Sequence, residues 1–243
     1  MVNRYKLLFV LVFFSVLILS LYAFHSLRDD KDILSYVMDP KKQELGLYWK
    51  DDDGKLLGSI GALKSYLERK KVKLLFACNA GMYMENQSPL GLFIKENKQL
   101  RALNTSSGKG NFHMKPNGVF YLDDLQQAGI CKTEDYSRQK NIRYASQSGP
   151  MLVIDGAIHS SFTKGSENLN IRNGVGILPD NKVVFAMSKN PINFYDFALY
   201  FKNLGCKNAL YFDGFVSRSY LPEKNWIQTD GNFGVMVGVT PKF

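Results

Sequence analysis

The chain has 243 residues, of which 45% are apolar and 22% are charged, and this composition indicates a folded globular protein rather than a disordered one. Its formal net charge of +9 favours anionic partners such as phosphorylated glycans or anionic lipid headgroups. No long basic run and no RNA-binding signature accompany this charge, so the sequence argues against nucleic acid as a partner.

An apolar segment near the N-terminus predicts attachment to a membrane. The stretch from Leu7 to Phe24 contains only two serines and one tyrosine among apolar residues, and it follows Arg4 and Lys6. As a helix it spans roughly 27 Å, close to the thickness of a bilayer core. Signal-peptide cleavage needs small residues at alternate positions, but the candidate pairs here are Leu21 with Ala23 and Phe24 with Ser26. Positive residues stay on the cytoplasmic side. We therefore predict an uncleaved anchor over residues 1–26 and a single periplasmic or extracellular domain over residues 27–243.

The first predicted elements of the domain are two short strands and a helix. Residues 45–57 form the strands around the acidic turn 51–54, whose spacing does not match a calcium-binding EF-hand loop. Ser59 is a predicted N-cap, because apolar residues recur at helical spacing behind it. The basic residues 69–71 close this helix near the negative end of its dipole. A strand over residues 72–77 follows.

Hairpins and a second helix are predicted in the rest of the chain. The hairpins cover residues 90–103, 151–160 and 175–187, with turns at 96–97, 155–156 and 179–181. The second helix begins near Asn193 and ends at Gly205, and a strand over residues 209–212 follows it. The predicted fold class is α+β, mainly antiparallel sheet with two principal helices.

Four short segments and a closing strand make an ordered set of motifs. They are residues 79–83 (NAGMY), 146–153 (SQSGPMLV), 172–177 (RNGVGI), 211–214 (YFDG) with Ser217, and 233–239 (FGVMVGV). In order and spacing this set resembles the phosphodiester glycosidase family over residues 72–239. The resemblance implies an α+β domain, hydrolysis of a sugar linked through C1 to a phosphodiester, and a location outside the cytoplasm.

Two residues are the candidate catalytic groups. A phosphodiester linkage releases a phosphate monoester whose second pKa is about 6, so the leaving group departs with little help from a general acid. One carboxylate and one cationic group then suffice. Asp213, at the end of an apolar strand, is the candidate to activate water or stabilise the oxocarbenium-like centre. Arg172 is the candidate phosphate clamp. The alternatives are a hairpin turn for Asp213 and a solvated surface charge for Arg172.

Seven further residues are candidates for substrate binding, because each combines a place in or near the motifs with a polar side chain or a turn backbone: Asn79, Gly81, Asn117, Gln147, Ser148, Asn173 and Ser217. Their alternative role is turn formation. We predict that Asp213, Arg172, Asn79 and Ser148 converge on one pocket, although they come from four separated segments.

The sequence leaves other chemistries open or argues against them. The three histidines lack metal-binding spacing, so neither a metal nor a cofactor is predicted. A serine or thiol acyl hydrolase would need a reactive Ser148, or Cys78 with His159. The three cysteines would be in an oxidising compartment, but their spacing does not select a disulfide pair. The principal alternative is a non-catalytic glycan-binding or envelope-assembly factor, which Phe215 favours because its ring would narrow the pocket beside Asp213.

Overall fold

The computed structural model describes residues 31–214 and 216–242. Sixteen strands and two α-helices are found within these ranges. The predicted anchor and Phe215 lie outside the described residues. No helix in the described part of the chain is long and apolar enough to cross a bilayer.

The strands form three antiparallel sheets, numbered here in chain order. The first sheet contains, from edge to edge, β1 (Ile33–Met38), β12 (Val183–Ser188), β11 (Asn173–Ile177), β13 (Ala209–Asp213), β9 (Met151–Ile154) and β10 (Ala157–Ile158). The second contains β15 (Trp226–Ile227), β14 (Ser219–Leu221), β3 (Phe76–Asn79), β16 (Met236–Pro241) and β2 (Gln43–Tyr48). The third contains β5 (Lys98–Arg101), β4 (Phe93–Lys95), β8 (Ile142–Ser148), β6 (Gly118–Asp123) and β7 (Ala128–Lys132).

The two helices cover the outer faces of two sheets. Helix α1 (Ile60–Arg69) begins at the N-cap Ser59, whose hydroxyl accepts from the backbone N–H of Ala62, and its apolar face packs beside the second sheet. Helix α2 (Phe194–Asn203) begins at Asn193, which caps it in the same way, and packs against the first sheet. Both helices follow the predicted apolar spacing, so the α+β prediction with two principal helices is confirmed.

Aromatic rings join the three sheets in one core. Phe76 of the second sheet stacks on Phe185 of the first at 5.2 Å between ring centroids. Phe120 of the third sheet meets both Phe185 and Phe212 of the first edge-on, each at 6.1 Å. Because the sheets converge on these rings, the ends of β3, β8 and β13 lie close together. This convergence positions the candidate site.

Candidate active site

Asp213 is half-buried at the end of β13 and faces an open cleft of about 340 Å³. Its Oδ1 accepts a 2.7 Å hydrogen bond from the backbone N–H of Gly214. The cleft is lined by Met82, Tyr83, Leu90, Lys109, Gly110, Asn111, Phe112, His113, Asp213 and Val216. Among the described residues of this lining, Asp213 is the only one with a carboxylate. Lys109 and His113 are the basic residues of the same lining.

Burial controls the protonation of this carboxyl. Removal of water from around Asp213 raises its pKa to about 6, and the N–H of Gly214 opposes part of that rise. A carboxyl with a raised pKa in a cleft is characteristic of functional sites. Above about pH 6 the group is an anion that can accept a proton from water or face a developing positive charge.

An asparagine pair holds the backbone behind Asp213. Asn173, at the start of β11, donates from Nδ2 to the carbonyl of Asn79 at 2.7 Å and to its Oδ1 at 3.0 Å. The Oδ1 of Asn173 accepts from the N–H of Asp213 at 2.9 Å. Asn79 Oδ1 also accepts from the N–H of Arg218 at 3.1 Å. Since both asparagines are buried, this network fixes the strand ends of two sheets against one another.

Three other predicted residues lie close to the same network. Ser148, at the end of β8, donates from its hydroxyl to the carbonyl of Phe212 at 2.9 Å. The hydroxyl of Ser217 donates to the carbonyl of Asp213 at 3.2 Å. Gly81 lies so close to the third sheet that a Cβ there would be 2.7 Å from Ser146 Oγ. The bonds of Ser148 and Ser217 support the backbone around Asp213, and none of the three residues is part of the cleft lining.

Gln147 and Asn117 hold the chain segment that forms one wall of the cleft. Gln147 Oε1 accepts from the N–H of Asn104 at 2.9 Å, while its Nε2 donates to the carbonyl of Asn104 at 2.7 Å. Asn117 Nδ2 donates to the carbonyl of Phe112 at 2.9 Å. Asn117 itself lines a separate cleft of about 300 Å³ with Lys115 and Lys132. Segment 104–117 is therefore fixed at both ends.

Arg172 lies outside the lining of the Asp213 cleft. Its side chain is buried, with the guanidinium 3.6 Å from the ring centroid of Phe194. Nε donates to the carbonyl of Ile192 and Nη2 to that of Asn168, both at 2.8 Å. Nη1 lies 3.4 Å from the Tyr211 hydroxyl. Most of the five N–H donors are therefore used by the protein, and the alternative of a solvated surface charge does not apply. Its binding of phosphate stays a prediction.

The arrangement of nucleophiles and bases is unsuited to an acyl hydrolase. Burial raises the pKa of the Cys78 thiol well above its usual range, which disfavours the thiolate. Both nitrogens of His159 are engaged, one 3.1 Å from the carbonyl of Lys115 and the other accepting from the N–H of Ser161 at 3.1 Å. The hydroxyl of Ser148 is bonded to a backbone carbonyl rather than to a base.

Cysteines and metal ligands can be surveyed within residues 31–214 and 216–242. Cys78, Cys131 and Cys206 are all free thiols there. No group of three or more histidine, cysteine, aspartate or glutamate side chains suited to hold a metal ion occurs in those ranges.

Sequence reasoning missed four polar residues of the cleft: Tyr83, Lys109, Asn111 and His113. Tyr83 stands inside one of the motifs, so its position was visible. Lys109 lies between two glycines, a pattern typical of a loop that presents its side chain, and His113 follows four residues later. Only the tertiary structure brings this loop to Asp213.

Comparisons with known proteins agree with the motifs. A family model described as phosphodiester glycosidase matches residues 73–239. The chain is 37% identical to the uncharacterised protein YigE of Escherichia coli K12 over 190 residues, which are 78% of this chain and 74% of that protein.

Solved structures share the fold at low sequence identity. The catalytic domain of zebrafish N-acetylglucosamine-1-phosphodiester alpha-N-acetylglucosaminidase, auto-inhibited by its pro-peptide, has a TM-score of 0.60 and 14% identity and covers 89% of this chain and 85% of its own. A putative exported protein of Burkholderia pseudomallei has a TM-score of 0.54 and 10% identity, with coverages of 86% and 74%. Both likenesses concern the fold alone.

Proposed function

Because the chain belongs to the phosphodiester glycosidase family, we propose that it hydrolyses a glycosyl phosphodiester, a sugar linked through C1 to a phosphate that carries a second ester group. One observation carries this proposal. Asp213 comes from a motif of the family and presents a carboxyl with a raised pKa to a cleft that also contains basic groups. The carboxylate can stabilise positive charge at C1 of the sugar, and a cationic group in the same cleft can bind the phosphate.

The reaction needs one bond to break and one to form. The bond between C1 and the phosphate oxygen breaks, and its electron pair leaves with the phosphate monoester. A water oxygen forms the new bond to C1, and the proton released from that water passes to Asp213 and then to solvent. The ionised Asp213 also stabilises positive charge at C1 in the transition state. The leaving monoester is already a stable anion, so no second carboxylate is needed.

The other predicted site residues enter this proposal as positioning groups. Asn79 and Asn173 hold the end of β13, and Ser148 and Ser217 bond to carbonyls on either side of the Asp213 amide. Gln147 and Asn117 bond to segment 104–117, which lines the same cleft as Asp213. Arg172 holds two segments together, because it donates to the carbonyl of Ile192 after β12 and to that of Asn168 before β11. Asp213 is the one predicted catalytic residue whose side chain lines the cleft.

The location is part of the proposal. We propose that the segment from Leu7 to Phe24 tethers the chain to a membrane and that the domain lies outside the cytoplasm. The charge distribution supports this orientation, because Arg4 and Lys6 precede the apolar segment. The substrate would then be a sugar phosphodiester of the envelope or its surroundings.

The test is direct measurement of turnover. The full-length chain in detergent is incubated with a panel of sugar-1-phosphodiesters, and phosphorus NMR follows the release of a phosphate monoester. Asp213→Asn keeps the size of the side chain and removes its charge. We expect this variant to bind substrate with nearly unchanged affinity and to lose turnover, with kcat reduced by at least about a hundredfold.

Two results would contradict the proposal in different ways. Unchanged turnover in Asp213→Asn would remove Asp213 as the essential carboxylate. Binding of sugar phosphodiesters without turnover in either protein would instead favour the glycan-binding alternative.

A further inference from the structure

The basic groups of the Asp213 cleft come from one short segment of chain. Lys109 precedes a 3-10 turn, Asn111–His113, that ends at His113, and both residues line the cleft together with Asp213. Lys109 is exposed and has no ion-pair or hydrogen-bond partner in the described part of the chain. Its ammonium group is therefore free to meet an anion.

The geometry around His113 leaves one ring nitrogen for a ligand. Nδ1 lies 3.2 Å from the carbonyl of Ser106. A carbonyl only accepts, so this contact places a proton on Nδ1. Nε2 has no hydrogen-bond partner among the described residues. A phosphate oxygen only accepts, so Nε2 donates to it when His113 carries a proton on both ring nitrogens. Gly108 packs against the same ring, and a Cβ there would lie 2.6 Å from Cδ2 and 2.7 Å from Nε2, so this close approach requires glycine.

The segment is held in a defined position, although both of its basic groups lie near solvent. Phe112, between them, is buried, and its ring meets that of His113 edge-on at 5.1 Å. The carbonyl of Phe112 accepts from Asn117, and Asn104 is fixed by Gln147. A side chain on such an anchored loop loses little further freedom when it binds a ligand.

The carboxylate and the basic groups occupy different parts of the cleft. Among the described residues, no ion pair within 4.0 Å joins Asp213 to Lys109 or His113. Lys109 and His113 are therefore not paired with Asp213. A substrate with its C1 at Asp213 and its phosphate at Lys109 and His113 matches this separation of the carboxylate from the basic groups.

We propose that Lys109 and His113 form the subsite that binds the phosphate of the substrate, and that Arg172 does not. This inference rests on the proposed function for the identity of the whole substrate. The group that the subsite binds is the singly charged phosphodiester. It assigns the specificity for phosphodiesters over neutral glycosides to segment 104–117 rather than to the motifs of the strand ends.

Binding can be measured without turnover. The full-length chain in detergent is titrated with dimethyl phosphate at constant ionic strength, and NMR follows the ring protons of His113. The chain has three histidines, so the signal is assigned by its loss in His113→Gln. Trimethyl phosphate, nearly the same shape without the charge, is the matched ligand control. We expect a saturable shift with dimethyl phosphate and none with trimethyl phosphate.

Lysine variants locate the charge. Lys109→Ala should raise the Kd for dimethyl phosphate about five- to tenfold. This is less than a buried charge-assisted hydrogen bond contributes, because the cleft is open to solvent. Lys115→Ala is the matched control, because Lys115 belongs to the same segment and lines the other cleft. Its Kd should equal that of the unmodified chain. No saturable shift, or equal effects of the two lysine variants, would overturn the proposal.

The outcome is separable from that of the turnover assay. Saturable binding that depends on Lys109, in a chain that turns over no sugar phosphodiester, supports the subsite and contradicts the proposed function. Turnover with the same KM in Lys109→Ala as in the unmodified chain keeps the function and overturns the subsite.

Discussion

At the scale of single residues, Asp213 reduces the stability of the fold that positions it. Burial raises its pKa to about 6, whereas an aspartate in an unfolded chain has a pKa of about 4. As the pH rises, the unfolded chain releases this proton first. The contribution of Asp213 to stability therefore falls between about pH 4 and pH 6 and stays low above that range.

Asp213→Asn should thus be more stable than the unmodified chain at pH 8, by about 1 to 3 kcal/mol, and nearly equal to it at pH 4. Denaturant unfolding at the two pH values measures this difference. Asp52→Asn is a control of opposite sign, because hydrogen bonds from Lys70 and Tyr66 lower the pKa of exposed Asp52. Equal stability of Asp213→Asn and the unmodified chain at pH 8 would show that folding does not raise the pKa of Asp213.

Arg172 provides the second prediction at this scale. Arg172→Met removes donors from the carbonyls of Ile192 and Asn168 while keeping much of the contact with Phe194. We expect a loss of about 2 to 4 kcal/mol in the free energy of unfolding. Arg143→Met is the control, because the Arg143 side chain is partly exposed and has weak contacts, a 3.7 Å ion pair with Glu44 and a 5.5 Å approach to the Tyr144 ring centroid. It should change stability by less than about 1 kcal/mol.

The same variant tests the role predicted for Arg172 from sequence. The folded fraction of Arg172→Met should bind dimethyl phosphate as the unmodified chain does. Loss of phosphate affinity with an unchanged free energy of unfolding would instead assign the phosphate clamp to Arg172.

At the scale of secondary-structure elements, Asn173 links β11 to β3 and β13. Asn173→Ala would leave the carbonyl of Asn79 and the N–H of Asp213 without these buried partners. We expect a loss of about 2 to 4 kcal/mol in stability and a fall in kcat that exceeds any change in KM, because Asp213 loses its support. Asn203→Ala, on the exposed side of α2, should change stability by less than about 0.5 kcal/mol. Full turnover in Asn173→Ala would show that the asparagine pair does not position Asp213.

Local signals predicted some elements well and others poorly. The caps Ser59 and Asn193 and the turns at 96–97 and 155–156 lie where the sequence places them, because caps and turns are decided by neighbouring residues. The strand predicted over residues 72–77 instead covers Phe76–Asn79. Its limits depend on hydrogen bonds to β14 and β16, which are more than a hundred residues away. Strands β6 and β7 were not predicted, although they pair as a hairpin over residues 118–132 within the third sheet.

At the scale of the whole molecule, orientation in the membrane is the property to test. If the proposed orientation holds, with Arg4 and Lys6 on the cytoplasmic side, a periplasmic-type reporter enzyme fused after Phe243 should be active. A cytoplasmic reporter at the same position is the control and should be inactive. Activity of the cytoplasmic reporter alone would reverse the orientation, and a mature N-terminus near residue 27 would show that the predicted anchor is cleaved.

The sequence by itself determined the family, the fold class, the two helices and Asp213 as a candidate, because motifs, caps and apolar spacing are local properties that survive without the rest of the chain. Only the tertiary structure decided which polar residues reach the cleft. Gln147 and Asn173 were candidates for binding, but they bond to backbone groups that the packing of three sheets brings to them. Lys109 and His113 share a cleft with Asp213 because the loop between β5 and β6 lines it together with the end of β13. Such contacts join residues about a hundred positions apart, and no local pattern encodes them.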